Sequence, residues 1–490
     1  MTEGLLVISP CVLAIATGLA AQLARGTRQA DRCNVVGAAL TAAVAGALVA
    51  RTLVEPGDPL HGSWYVLDPI GAVFLGVIAV VGLLSALVSP LQLAGEGRGL
   101  FNAARGRTRY YLTFHVFWAA LLAIPLVDNL GVAWLLVEAT TGASALLVAF
   151  SGRRRALEAG WKYLVLTTFG LAVALLGIVV LHAAVPSGGA LSSLDWPAIA
   201  AVAPGVPSDA AAVAFALIVC GLATKVGWAP VHNWLPDAHS EAPPAVSALL
   251  SAALLPAVAL VAWRVLAALG PALPAGQASA LFIAFGLASL AIAVPFLWRP
   301  LPWKRLLAYS SLEHMGVIAL GIGLASPLAT VGVVVHVAGH ALAKALGFYA
   351  AIPLSRHVPD ASRRAARGLA FANPPTATAV GVSLGALAAL PPSPLFVSEL
   401  LILLGAIEAG ELAVAIAGAA LLALGFLGLA HALIEELVGE PRAPRWRSGH
   451  GARQTTRLTV AITAGMLALT AAAALLPGSA IADRLMEGVT

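Results

Sequence analysis

The chain has 490 residues, of which 60% are hydrophobic and only 10% are charged. Soluble globular chains carry roughly a quarter charged residues, so an ordinary cytoplasmic protein is excluded. The net charge of +5 is gathered in clusters between apolar runs, which reads as loops on one face of a membrane and not as a nucleic-acid surface.

Apolar runs of about 20 residues, each long enough to cross a bilayer, recur from end to end. They lie at roughly 4–25, 34–54, 67–90, 110–127, 130–150, 162–185, 211–235, 245–269, 278–298, 303–324, 328–354, 372–408, 412–434 and 457–477. The pattern predicts an all-α membrane protein of about fourteen transmembrane helices, with residues 1–490 forming a single membrane domain. No basic stretch precedes the first run and no convincing small-residue cleavage pattern ends it, so it is read as a retained span. Cys11, Cys33 and Cys220 are far apart and form no paired ligand motif. That argues against an iron–sulfur cluster, a structural zinc or a disulfide framework, and no cofactor is expected. Gly95, Gly97 and Gly99 do not match a dinucleotide fingerprint.

If the spans alternate, one side of the membrane receives Arg25, Arg28, Arg32, Arg98, Arg105, Arg107, Arg109, Arg153, Arg154, Arg155, Lys162, Arg299, Lys304 and Arg305. It also receives Arg356, Arg363, Arg364, Arg367, Arg442, Arg445, Arg447, Arg453 and Arg457, for 23 of the 28 basic residues. Only Arg51, Arg264 and Arg484 fall on the other side, where Arg264 is expected to snorkel to the interface. Basic loops stay cytoplasmic, so both termini are expected to face outward, in a bacterial plasma (inner) membrane.

An ionisable side chain at membrane depth costs about 2.5–3.5 kcal/mol or more and needs a reason. The chain has only four lysines against 24 arginines, yet Lys225 and Lys344 lie within spans. Arginine keeps its proton in proteins, whereas a buried lysine can release it, so lysine at these depths points to proton exchange. Glu138 stands in the fifth run, Glu313 and His314 in the tenth, His336 and His340 in the eleventh and Glu399 in the twelfth. His336, His340 and Lys344 are spaced by four and share one helix face. Bland readings stand beside these: Glu138 and Lys225 as a static ion pair, either histidine as a satisfied bundle residue, Glu313 and His314 as interfacial. His336 and His340 lack an evident third ligand, so no metal is expected.

In the seventh run, Pro230 follows Lys225 closely and should break the helix just after the lysine. Leu390-Pro391-Pro392-Ser393-Pro394 gives the twelfth run the same character. Interruptions in corresponding positions of two halves point to an inverted-repeat transporter and its ion site. The expected halves are two inverted five-helix repeats, 110–269 and 278–434, each a half-channel, with discontinuous helices 7 and 12 and with Lys225 matching Glu399. The inward loop after the seventh run carries Asp237, His239 and Glu241 and has no basic residue. With His232, these groups read either as a proton intake or as caps that hold the loop.

Four stretches carry a family resemblance: Asn233-Trp234-Leu235-Pro236-Asp237-Ala238-His239 with Ser247–Ser251, Lys304–Ser311, His340–Leu346, and Leu390-Pro391-Pro392 through Ser398-Glu399. They resemble the antiporter-like subunits of complex I, a family of proton-conducting membrane transporters. Asn129-Leu130-Gly131, Val137–Thr141 and Gly160–Tyr163 most resemble hydrogenase-4 component F within it. The resemblance implies a proton-translocating subunit without haem, flavin or cluster. It implies that Glu138 and Lys225 form the coupled pair of the first half-channel and that Lys162 tunes it. His336, His340 and Lys344 would line a central hydrated axis, and Glu399 would serve the outward half-channel.

One departure is Pro256, where many relatives carry a lysine. The implied partners are other membrane subunits and a soluble oxidoreductase arm, a nickel–iron hydrogenase or a dehydrogenase, with the lipid bilayer around them. The implied function is to move protons within a respiratory-type complex without being an enzyme by itself. A cation/proton antiporter, an inorganic-carbon uptake subunit or a passive anchor are the alternatives.

Overall fold

A computed structural model describes residues 2–54, 60–94, 105–185, 194–357, 367–440 and 450–475. The chain opens with α1 (Thr2–Gln22) and α2 (Thr27–Val54), then a two-strand hairpin of β1 (Leu60–His61) and β2 (Val66–Leu67), then α3 (Pro69–Leu93). The first half continues with α4 (Gly106–Ala123), α5 (Leu130–Val148), α6 (Arg154–Ala184), the short α7 (Trp196–Val202) and α8 (Ser208–Val226). After the break come α9 (Leu235–Glu241), α10 (Pro244–Leu249) and α11 (Leu255–Leu269). The second half holds α12 (Gln277–Leu297), α13 (Trp303–Leu324), α14 (Pro327–His357), α15 (Leu369–Ala372), α16 (Pro374–Leu387), α17 (Pro394–Glu408) and α18 (Leu412–Val438). The last helix is α19 (His450–Leu475).

Among the described residues, twelve helices are long and apolar enough to cross a membrane. The other two expected runs are α4, whose 18 residues include Arg107, Arg109 and His115, and the divided pair α16 and α17. The count of fourteen therefore stays an expectation, while a multi-span helical architecture, with the short β1–β2 hairpin beside it, is observed. The interruptions at the seventh and twelfth runs are observed too: α8 stops at Val226, and residues 388–393 separate α16 from α17. Much of the evidence for sidedness lies outside the described residues, at Arg98, Arg363, Arg364, Arg442, Arg445, Arg447 and Arg484, as does the glycine cluster 95–99.

The segment from Pro244 to Ala272 and helix α13 are buried over their whole apolar length, with α14 nearly so. These form the centre, while α1, α2, α18 and α19 present wide apolar faces outward. That distribution is the reverse of a soluble core and suits lipid or other apolar neighbours. The eighth run, expected as one plain helix, holds a π-turn at Leu250–Leu254 between α10 and α11. Pro256 has no N–H to give the carbonyl one turn back, so a widened turn just before it absorbs the mismatch.

On the side opposite the basic loops, Arg264 of α11 does not snorkel outward. Its guanidinium bonds Asp68 Oδ2 at 2.7 Å and the carbonyls of Val127 and Pro125. Asp68 also caps α3 by accepting from Gly71 N, so this one arginine ties together three separate stretches.

Candidate functional site

A line of buried polar groups runs through the centre of the bundle, beginning at the end of α8. Gly227 adopts left-handed backbone (φ 79°) and closes the helix, a conformation that only glycine takes without cost. Lys225 thus falls in the last helical turn, where the carbonyl dipoles favour a cation, and it is fully buried. The sequence marked Pro230 as the breaker, but Gly227 ends the helix three residues sooner. The irregular stretch that follows is satisfied by protein: Trp228 Nε1 donates to Met315 O at 2.8 Å, Ala229 N to Ser289 Oγ at 3.0 Å and Trp234 Nε1 to Thr224 O at 2.6 Å. Non-helical backbone survives at membrane depth only on such terms.

Helix α6 packs closely on α8 because Gly170 faces Thr224 and Gly221 faces the backbone of Gly170 and Ala174, with no room for a Cβ at either glycine. Small residues at a crossing let backbones approach in this way. The close crossing brings Tyr163 to the lysine. Lys225 Nζ donates to Tyr163 OH at 2.5 Å and to Thr141 Oγ1 on α5 at 2.6 Å. It also sits 4.5 Å from the centre of the Tyr163 ring, within cation–π range. Ser144 Oγ lies 2.7 Å from Tyr163 OH.

Glu138 lies one turn before Thr141. Thr141 Oγ1 lies 3.3 Å from Val137 O and 3.5 Å from Glu138 Oε2, so these two acceptors share its single proton, and Thr168 Oγ1 donates to Glu138 Oε1 at 2.8 Å. Among the described residues Lys225 and Glu138 form no direct ion pair; one hydroxyl joins them. A hydroxyl can accept from an ammonium and donate to a carboxylate at once, so the arrangement is a path for a proton as well as a contact. Glu138 is half-buried and Thr168 exposed, which sets this end of the line at the rim of the chain.

Beyond Lys225 the line passes the indole of Trp234, which packs against Tyr163, and His239, which stacks on Phe348 of α14. His239 is fully buried, and neither ring nitrogen has a protein partner. Lys344 Nζ donates to Leu307 O at 2.6 Å, and the same carbonyl accepts from Ser311 Oγ at 2.9 Å. Ser311 in turn meets Ser251 Oγ of the π-turn at 2.7 Å. Next come His340, with both ring nitrogens unpartnered, and His314, whose Nδ1 is 3.1 Å from His336 Nε2. His336 Nδ1 meets Ser398 Oγ at 2.9 Å, beside Glu399 on α17. His314, His336 and Glu399 together offer three ligand atoms within 4.8 Å of one another.

The structure therefore brings Glu138, Lys225, His336, His340, Lys344 and Glu399 near the central line and separates others from it. Lys162 is half-exposed and pairs with Glu158 at 2.6 Å and with Asp237 at 3.7 Å. No contact joins it to Lys225 or Glu138 among the described residues. Asp237 also lies 3.4 Å from Arg305, so it links cations of α6 and α13. Glu241, half-buried, closes α9. His232 is buried in the break, and its Nδ1 has no partner.

Glu313 and His314, placed by sequence near the membrane surface, are buried in the middle of α13. About ten residues from the helix start is roughly 15 Å, half the hydrocarbon thickness. Counting from Lys304 and Arg305 would have found them. Tyr163, Thr141, Ser144, Thr168, Ser251 and Ser311 were missed, and hydroxyls within apolar runs carry no pattern that marks them.

A multi-span helical bundle with buried lysines and histidines and half-buried carboxylates along one line is an integral membrane protein of the antiporter-like architecture. The model for the NADH:quinone oxidoreductase/Mrp antiporter transmembrane domain matches residues 127–425, and the chain belongs to that family. It is 33% identical over 401 residues to a hydrogenase-4 component F homolog of Methylacidiphilum infernorum, covering 79% of this chain and 81% of the relative. It is 32% identical over 429 residues to NADH-quinone oxidoreductase subunit N of Desulforudis audaxviator, covering 83% and 80%. Its fold matches a chain of the membrane-bound sulfane sulfur reductase, an archaeal respiratory membrane complex, with a TM-score of 0.85 at 22% identity over 100% of this chain and 97% of that one. A chain of the Mrp complex from Dietzia sp. DQ12-45-1b matches with a TM-score of 0.82 at 21% identity, over 100% and 97%.

Proposed function

We propose that this chain moves protons across the membrane as a subunit of a respiratory-type oxidoreductase complex, without catalysing redox chemistry itself. The carrying observation is the buried Lys225, joined to the Glu138 carboxylate through a single threonine hydroxyl. A static structural pair would gain most from direct contact. A pair separated by an exchangeable hydroxyl lets the ammonium change partners between Thr141, Tyr163 and the carboxylate, and with each change the affinity for its proton alters.

Lys344, His340 and His336 continue the line, with Glu399 at its far end and Lys162 on the flank with Asp237. The segments 110–269 and 278–434 serve as two half-channels. In support, the helix neighbours repeat: α5 against α6 and α6 against α8 in the first half, α13 against α14 and α14 against α17 in the second. Both halves also have a broken helix. His232, His239, Asp237 and Glu241 stand at the cytoplasmic intake, with both termini outward in a bacterial plasma membrane.

The relatives named hydrogenase-4 component F and NADH-quinone oxidoreductase subunit N support partners of the same kind. These are other membrane subunits and a soluble arm, either a nickel–iron hydrogenase or a dehydrogenase. Proton flux into vesicles containing the purified complex tests the reading. Lys225→Ala and Glu138→Ala should abolish flux while the complex still assembles; flux equal to wild type in both would reduce the chain to an anchor.

A further inference from the structure

We propose that His314, His336 and Glu399 form a binding site for a divalent transition-metal ion of the zinc class, at the crossing of α13, α14 and α17. Sequence spacing points instead to His336 and His340 as a pair on one helix with no third ligand. The fold assembles a different set, drawing one ligand from each of three helices, with all three donor atoms within 4.8 Å of one another.

The geometry suits a small tetrahedral ion. Two imidazole nitrogens bound to zinc at about 2.0–2.1 Å stand roughly 3.3 Å apart, and His314 Nδ1 and His336 Nε2 are already 3.1 Å apart. His336 presents Nε2 to His314 because its other nitrogen is held by Ser398 Oγ at 2.9 Å. Fixing the outer nitrogen in this way is how metal-binding histidines are usually oriented. His340 stands beside this set: its ring centre is 5.3 Å from that of His314, it is fully buried, and neither of its nitrogens has a protein partner. A simple histidine–histidine hydrogen bond leaves those nitrogens unsatisfied, at a cost of about 1–3 kcal/mol each.

Charge agrees. A divalent ion needs compensating anions where solvent is scarce, and the half-buried Glu399 supplies one. A histidine-rich donor set favours zinc, copper or nickel over sodium, magnesium or calcium. The site does not depend on reading Lys225 and Glu138 as a translocating pair, but it shares His336 and Glu399 with the far end of the proposed proton line, which bound zinc would block.

The test uses the full chain purified in detergent, treated with chelator, and titrated with zinc chloride by calorimetry, with X-ray absorption on the loaded sample. Cys11→Ser, Cys33→Ser and Cys220→Ser form the background, so thiols cannot hold the ion. One zinc per chain with only nitrogen and oxygen ligands is expected, accompanied by a rise in Tm. Affinity should fall on the order of tenfold to a hundredfold in His336→Gln and in Glu399→Gln, and should persist in Lys225→Ala. Glu399→Gln keeps size and both histidines, so it guards against loss by misfolding. Absence of stoichiometric zinc, or affinity in the His336→Gln and Glu399→Gln chains equal to that of the parent chain, overturns the site. Vesicle flux in Lys225→Ala judges the translocation reading separately.

Discussion

The Glu313 carboxylate of α13 rests directly on Gly425 of α18, so that a Cβ added at position 425 would overlap Glu313 Oε1. The glycine gives a buried acid its room. Gly425→Ala should lower stability by about 1–3 kcal/mol, the usual cost of overpacking, and should displace the carboxylate. Thermal unfolding in detergent checks the size of the effect. Adding Glu313→Asp, one methylene shorter, should recover most of the loss; a second variant no better than the first would show that the strain lies elsewhere.

Removing the hydroxyl between Lys225 and Glu138 should slow translocation more than it weakens the fold. A hydrogen bond to a charged group is worth about 1.5–3 kcal/mol, which corresponds to roughly 10–100-fold in rate if it is lost from the transfer barrier. Thr141→Val should show that deficit in vesicle flux, and Thr141→Ser should restore it. Equal flux in the valine and serine variants would remove the hydroxyl from the path.

Arg264 holds Asp68 and two carbonyls with one planar fork, a task a lysine point charge cannot copy. Arg264→Ala leaves a mostly buried aspartate without its cation and should cost about 3 kcal/mol or more. Arg264→Lys should recover only part of this in the same unfolding assay, and full recovery would assign the effect to charge alone.

Asp128, in the loop before α5, is 6% exposed. Burial, with the neighbouring Asp195 carboxylate, pushes its carboxyl above the ordinary value, against the pull of His61 and Arg264. A carboxyl whose folded-state affinity for protons exceeds its unfolded one adds stability as pH falls through the folded pKa. The difference in Tm between wild type and Asp128→Asn should therefore shift in favour of wild type as pH is lowered from neutral into the raised carboxylate range. A difference independent of pH would show that Asp128 titrates as an exposed acid does.

Hydropathy and the scarcity of lysine made the helical bundle, the two breaks and the buried Lys225 and Lys344 legible from residues alone. The partners were not. Tyr163 and Thr141 reach Lys225 only because two glycines let α6 and α8 close up, a fact of crossing geometry and not of periodicity. Lys162, to which the resemblance assigns a tuning role, turns outward to Glu158, whereas the adjacent Tyr163 meets the lysine, because successive helical residues face different ways. The π-turn at Leu250–Leu254 left no mark beyond Pro256 itself, and the ligand set at His314 comes from three helices that no spacing rule connects.

The two indoles that tether the break after α8 constrain what can move there. Trp228 anchors the stretch to α13 and Trp234 anchors it back to α8 itself, so rewinding or sliding the backbone would forfeit both bonds, whose indoles are fully buried. Any travel of charge at Lys225 is thereby left to the four-carbon stem of the side chain, a swinging arm on a fixed post, whose reach is measured by the few ångströms between a tyrosine, a threonine and a carboxylate.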